Sequence, residues 1–145
     1  MAIKEFRGKY YFLSNFSNAP VEYNGIAYLN NEAAFQSMKT MNIRKREQFA
    51  NLDPSTAKRK GRNVILRNDW EKVKEQIMYE ICKNKFSQNE DLKIKLLETG
   101  DQYLEEGNTW GDKEWGTCKG VGKNKLGKIL MRVRDELREW FISLL

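Results

Sequence analysis

The sequence predicts a mainly α-helical fold with a small β hairpin near its start. Three observations carry that prediction. Leu126, Ile129, Leu130, Val133, Leu137, Phe141 and Leu144 recur at helical spacing as one apolar stripe. Trp70, Val73, Ile77 and Ile81 repeat the pattern behind Asp69. Val21-Glu22-Tyr23 and Ile26-Ala27-Tyr28 flank Asn24-Gly25, a pair that accepts the positive φ of a type I′ turn. In chain order, the apolar run from Tyr10 to Phe16 is expected to add a strand before the hairpin. The period then changes, and Asn31 is expected to cap a helix running to about Met41. Asp53-Pro54 reads as a cap followed by proline at the first helical position, with Gly61 as the stop. Asp69 is the expected cap of the mid-chain helix. A short helix follows from about Asn89 to Thr99 with Gly100 just beyond, and the final amphipathic helix closes the sequence.

A chain of 145 residues, 40% hydrophobic and 32% charged, without repeats or a long linker, is expected to form one domain over 1–145. It contains no histidine, which excludes Ser-His-Asp and Cys-His catalysis, His-ligated zinc and a haem histidine. Cys82 and Cys118 cannot make a four-ligand thiolate site or a disulfide framework. Acid–base chemistry therefore falls to Asp, Glu, Lys, Tyr or Cys. No stretch reaches the apolar length of a transmembrane helix, and the first residues lack the apolar core of a signal peptide, so no membrane association and a cytoplasmic setting are expected. The net charge is +6, with its excess inside the first hundred residues. Arg44-Lys45-Arg46 and Lys58-Arg59-Lys60 with Arg62 and Arg67 are the dense spots. They read either as solvated helix faces or as attraction for phosphate on a small ligand or nucleic acid.

Three constellations stand out. On a helix, Glu32, Gln36 and Lys39 share one face, with Phe35, Met38 and Met41 largely opposite. This is either a surface stripe or a carboxylate–amide–amine group at a loop-to-helix junction. Asn108-Thr109-Trp110-Gly111-Asp112-Lys113-Glu114-Trp115-Gly116 sets two tryptophans and an aspartate in an irregular segment. Tryptophan faces stack on bases, and glycine lets backbone approach a ligand; the alternative is a packed loop sealing the core. Gly120-Val121-Gly122-Lys123-Asn124-Lys125-Leu126-Gly127 leads into the last helix and offers N–H groups and charge to a phosphate, without matching a dinucleotide fingerprint or a P-loop. Cys82 reads as a core thiol, and Cys118 lacks the partner of a nucleophile.

Taken in order, these segments resemble the NADAR (YbiA-like) family over about 130 residues. Phe12-Leu13-Ser14-Asn15-Phe16 is similar to its F-L-S-N-F, and Glu32 to Lys39 to its E-x-x-F-Q-x-x-K helix. Gly61-Arg62, Trp70 with Lys74 and Met78, Lys85-Phe86, and Leu97 to Thr99 follow. Trp110 to Gly116 resembles W-G-D-x-x-W-G, and Gly122 to Gly127 resembles the G-K-N-x-L-G segment before L-M-x-x-R, here Leu130-Met131 and Arg134. One departure is Ala33, where many members carry histidine.

The resemblance implies an N-glycosidase cleaving the bond between ribose C1 and a nitrogen, with no cofactor and no metal. It implies removal of ADP-ribose from ADP-ribosylated guanine in nucleic acid, or hydrolysis of phosphorylated ribosylamino-pyrimidine intermediates of riboflavin synthesis. The expected partners are accordingly an ADP-ribose-containing or ribose-phosphate substrate and nucleic acid carrying ADP-ribosyl-guanine. Glu32, Lys39 and Asp112 become the catalytic candidates: carboxylates as acid and base, Lys39 as an amine that attacks C1 or as a charged phosphate or ribose contact. Asn15, Phe16, Gln36, Arg62, Trp110, Trp115, Gly116, Lys123 and Asn124 become the substrate-binding candidates. Two other classes stay open. A noncatalytic ADP-ribose or nucleic-acid binding module would need the tryptophans and basic patches but not Glu32 or Asp112. An interaction protein would use the last amphipathic helix as its surface.

Overall fold

A computed structural model describes all 145 residues, Met1–Leu145. The chain is mainly helical with short strands, as expected, and its three sheets have two strands each. It divides into two compact units: residues 1–14 with 90–145, and residues 15–89.

The unit of residues 15–89 holds the hairpin and four helices. Strands β2 (Val21–Tyr23) and β3 (Ile26–Tyr28) pair antiparallel, Val21 opposite Tyr28. Asn24 and Gly25 take φ of 50° and 83°, the turn that pair of residues predicted. Helix α1 (Asn31–Ser37) is capped by Asn30, whose side chain accepts from the Ala33 N–H at 2.8 Å. The cap is thus one residue before the Asn31 expected from sequence, because Asn31 turns inward and donates to Asn15 Oδ1. The helix also stops short of Met41. Arg67 takes the Lys39 carbonyl through its backbone N–H and the Met38 carbonyl through its guanidinium, satisfying groups that another turn would have used.

Helix α2 (Ile43–Glu47), capped by Asn42, buries no residue and so left no apolar stripe to read in the sequence. Helix α3 (Pro54–Gly61) has the expected limits, with Asp53 accepting from Thr56 N–H. Helix α4 (Trp70–Gln88) starts where Asp69 predicts, but Asp69 makes no capping bond; its carboxylate pairs with Arg67 at 2.6 Å. Helix α1 packs on α3 and α4, and α4 also supports β2. Phe35 and Trp70 meet at 5.0 Å between ring centroids, tying the first turn of α4 to α1.

The other unit joins segments far apart in sequence. Strand β1 (Ala2–Ile3) pairs in parallel with β4 (Tyr103–Leu104), and β5 (Gly107–Asn108) pairs in parallel with β6 (Thr117–Cys118). Strands of two residues are too short to show an alternating pattern, and the sequence signalled none of these four. The expected strand over Tyr10–Phe16 is instead a 3-10 helix at Gly8–Leu13 followed by bends. Its apolar run does not alternate; Leu13 alone in the helix is fully buried, and the backbone bonds close locally, Tyr10 N to Arg7 O and Ser14 N to Tyr11 O. Helix α5 (Glu90–Glu98) packs on α6 (Lys125–Ser143), and the predicted stripe of α6 buries Leu126, Leu130, Val133 and Leu137. No helix is long and apolar enough to cross a membrane.

Candidate active site

Glu32 sits in the first turn of α1, nearly buried. Its backbone N–H donates to the Asn15 carbonyl at 3.1 Å, so the bend after the 3-10 helix fixes the start of α1. One turn on, Gln36 Nε2 donates to Glu32 Oε2 at 2.6 Å. Lys39 follows just past the C-cap, half-buried, its Nζ 5.9 Å from the centre of the Trp70 ring. The carboxylate and amide share one face of α1, while the amine lies beyond the end of the helix, near enough for Glu32 to act on its charge.

Burial pushes the Lys39 ammonium towards its neutral form. Glu32 opposes that shift, while Arg62, Lys58 and Lys74 reinforce it, and the balance lies below the ordinary lysine value. The net direction answers the conflict that a neighbouring glutamate raises. Lys58 comes from α3 and Arg62 from its C-cap, one turn on, and Lys74 comes from α4, where its Nζ lies 2.7 Å from Glu71. Lys58 Nζ stands 5.9 Å from the centre of the half-buried Phe16 ring. Arg67 completes the surroundings by holding the carbonyls at the end of α1. Sequence reasoning did not assign Lys58, Arg67 or Lys74 to a site with Lys39. The basic run marked Lys58 as a phosphate contact only, and nothing local signalled a convergence of three helices.

Asn15 is less available than expected. Its Oδ1 accepts from Asn31 and its Nδ2 faces Met78 Sδ at 3.5 Å, so its side chain supports α1 from within.

The remaining candidates belong to the unit of residues 1–14 and 90–145. Asp112 Oδ1 accepts the N–H groups of Glu114 and Trp115, both at 3.0 Å. Asn108 exchanges bonds with the Asp112 backbone, donating to its carbonyl at 2.9 Å and accepting from its N–H at 3.1 Å. One carboxylate oxygen of Asp112 thus shapes the loop that presents the two tryptophans. Trp110 is 58% exposed, an open ring face. Trp115 is half-buried, with Lys125 Nζ 5.8 Å from its ring and paired to Glu114 at 2.9 Å.

Gly116 is buried because Glu106 fills the space its side chain would occupy. Asn124 is 2% exposed, and its amide is used internally: Oδ1 accepts from Glu106 N–H, Nδ2 donates to the Leu104 carbonyl and Tyr103 hydroxyl. Lys123 is exposed. No cluster of three or more Cys, Asp or Glu side chains is arranged to hold a metal ion.

The NADAR domain model matches residues 3–138. This chain belongs to the NADAR family. It is 38% identical over 128 residues to the N-glycosidase YbiA of Escherichia coli, covering 86% of this chain and 79% of that one. It is 36% identical over 132 residues to a riboflavin biosynthesis protein of Vibrio vulnificus, covering 88% of this chain but 36% of that one. It is similar in structure to E. coli YbiA as solved by NMR, at a TM-score of 0.86 and 33% identity, covering 98% of this chain and 86% of that one. This NADAR chain is accordingly a hydrolase acting on N-glycosyl bonds. The family match spans both compact units.

Proposed function

We propose that the chain cleaves the C1–N bond of a phosphate-bearing N-riboside, with Glu32 and Lys39 as the reacting pair, and that its substrate is ADP-ribosylated guanine in nucleic acid. The observation that carries the pair is the Lys39 amine, pushed towards neutrality by burial and by three cations while still beside a carboxylate. A neutral amine attacks C1 through Nζ as the C1–N bond breaks and the leaving nitrogen takes a proton. Ring opening then gives an imine, which water hydrolyses to release the phosphate-bearing ribose, ADP-ribose for this substrate, and to regenerate the amine. Glu32 stabilises the positive charge building at C1 or moves the proton.

Arg62, Lys58 and Lys123 supply charge for phosphates, Trp110 and Trp115 offer ring faces, and Phe16 lies beneath Lys58. Asp112 enters as the residue that shapes the tryptophan loop through Oδ1, with Oδ2 as its proton-transfer atom. Nucleic acid is favoured by the basic helices α2 and α3, both packed on α1. A second reading, hydrolysis of phosphorylated ribosylamino-pyrimidines, is favoured by the similarity to the riboflavin biosynthesis protein of V. vulnificus.

One experiment separates these readings. Purified protein is incubated with ADP-ribosylated DNA and, separately, with the ribosylamino-pyrimidines, and the released bases are identified. Binding of ADP-ribosylated DNA without product from either substrate would favour the noncatalytic module. Borohydride added during turnover is expected to trap an adduct on Lys39; a trapped mixture free of it excludes the covalent route. Glu32→Gln and Asp112→Asn are each expected to lose about 100-fold or more in kcat while remaining folded. Near-normal turnover removes the residue concerned from the chemistry.

A further inference from the structure

Gln36 lies in the middle of the α1 face but is only 5% exposed. Its Nε2 donates to Glu32 Oε2 at 2.6 Å, while its Oε1 is buried and accepts no hydrogen bond. An unpaired buried carbonyl is costly, and such groups call for a reason. Exchanging the amide's oxygen and nitrogen would set Oε1 against the Glu32 carboxylate and leave the NH2 group unpaired instead. The orientation present is the one that gives an ionised Glu32 its donor.

The neighbouring helix makes room for it. Gly61 of α3 faces the amide, and a Cβ there would collide with Gln36 Oε1 and crowd its Cδ. The bare Cα of Gly61 is what makes room for the amide between α1 and α3.

We infer that Gln36 is a positioning residue, accommodated by the bare Cα of Gly61, that fixes the orientation of the Glu32 carboxylate and favours its charged form, rather than a contact for substrate. The inference rests on the reading that Glu32 takes part in the chemistry. The cations that act on Lys39 together with Glu32 are Lys58 of α3, Arg62 at the C-cap of α3 and Lys74 of α4, and Arg67 pairs with Asp69 near the end of α1. These cations also favour a charged carboxylate, but Gln36 alone of this group is a neutral donor that sets which oxygen is held.

The test follows the carboxyl carbon of Glu32 by NMR titration of full-length protein labelled at glutamate, with Glu32→Gln identifying the signal. In Gln36→Met the midpoint of that signal is expected to rise by roughly one pH unit, because the charged form loses its donor. Gly61→Ala keeps the amide but displaces it, and is expected to move the midpoint the same way. It carries the test should Gln36→Met fail to fold. Alanine suits a helix better than glycine, so a shift in Gly61→Ala does not arise from helix propensity. An unchanged midpoint in folded variants overturns the inference. With ADP-ribosylated DNA as the probe, the limb of the kcat profile set by Glu32 is expected to move with the midpoint while KM holds. A raised KM with an unmoved limb would instead make Gln36 a substrate contact. Undiminished turnover in Glu32→Gln would defeat the underlying reading while leaving the measured effect of Gln36 on Glu32 standing, so the two failures are distinguishable.

Discussion

Lys39 and Lys85 are both lysines whose charge the fold disfavours, and they differ in what surrounds them. Around Lys39 the opposing carboxylate is Glu32, and the cations Arg62, Lys58 and Lys74 side with burial. Removing Arg62 should let the amine regain its proton more easily. In Arg62→Met the limb of the pH–rate profile that rises as Lys39 deprotonates is expected to move to higher pH. Because Arg62 is exposed, the difference from wild type should shrink in 1 M salt. A limb unaltered at low salt would remove Arg62 from the field acting on Lys39.

Lys85 is 1% exposed inside α4, donates to Ser17 Oγ at 2.9 Å, and is pushed by burial down to about 8. Below pH 8 both folded and unfolded chains keep its proton, and the folded state bears the full cost of the buried charge. Between about 8 and 10.5 the folded chain releases a proton that the unfolded chain retains, so this group makes the fold more stable as pH rises. The unfolding free energy of wild type relative to Lys85→Met should therefore climb by up to about 3 kcal/mol across that range. Urea titrations at pH 7.5, 9 and 10.5 would measure it, and a flat difference would contradict the shift.

The helices show where sequence and structure coincide and where tertiary contacts decide. Helix α3 was legible at both ends because Asp53, Pro54 and Gly61 each act through local backbone chemistry. The pairing of Glu32 with Gln36 was legible for the same kind of reason, since helical spacing puts them on one face of α1, whereas Lys39 lies beyond the end of the helix. The early stop of α1 was not, because it depends on Arg67, 28 residues beyond Lys39 in sequence. Asn124 was misread most instructively. A Gly-Lys-Asn segment before a helix resembles a phosphate loop, yet the asparagine takes φ of 51° and turns its amide inward to brace β4 and Glu106. Asn124→Ala leaves a buried carbonyl and N–H without partners and sets alanine at positive φ. A loss of about 2–4 kcal/mol is expected in urea denaturation. A change below 0.5 kcal/mol would mean that the segment holds its shape without the amide.

At the scale of the molecule, one family match runs across two compact units, one of them continuous in sequence and the other assembled from segments on either side of it. The mainly helical class followed from periodicity, whereas this division did not, because it is set by parallel pairs such as Ala2 with Tyr103. Ile3, 4% exposed, anchors the earlier segment opposite Leu104. Ile3→Ala is expected to cost about 2–4 kcal/mol, with hydrogen-exchange protection falling first along β4. Unchanged exchange there would show that the β1 pairing adds little.

That pairing also orders events during synthesis. Residues 15–89 emerge as one run and can make their own contacts while later residues are still being added. Strand β1 is translated about a hundred residues before its partner β4, and the unit it belongs to is complete only when α6 has been made. Closing a loop of that length is slow beside the local contacts of the helices. A nascent chain stalled after residue 89 would therefore already carry Glu32, Gln36 and Lys39, while the edge of β1 stood unpaired and in need of protection.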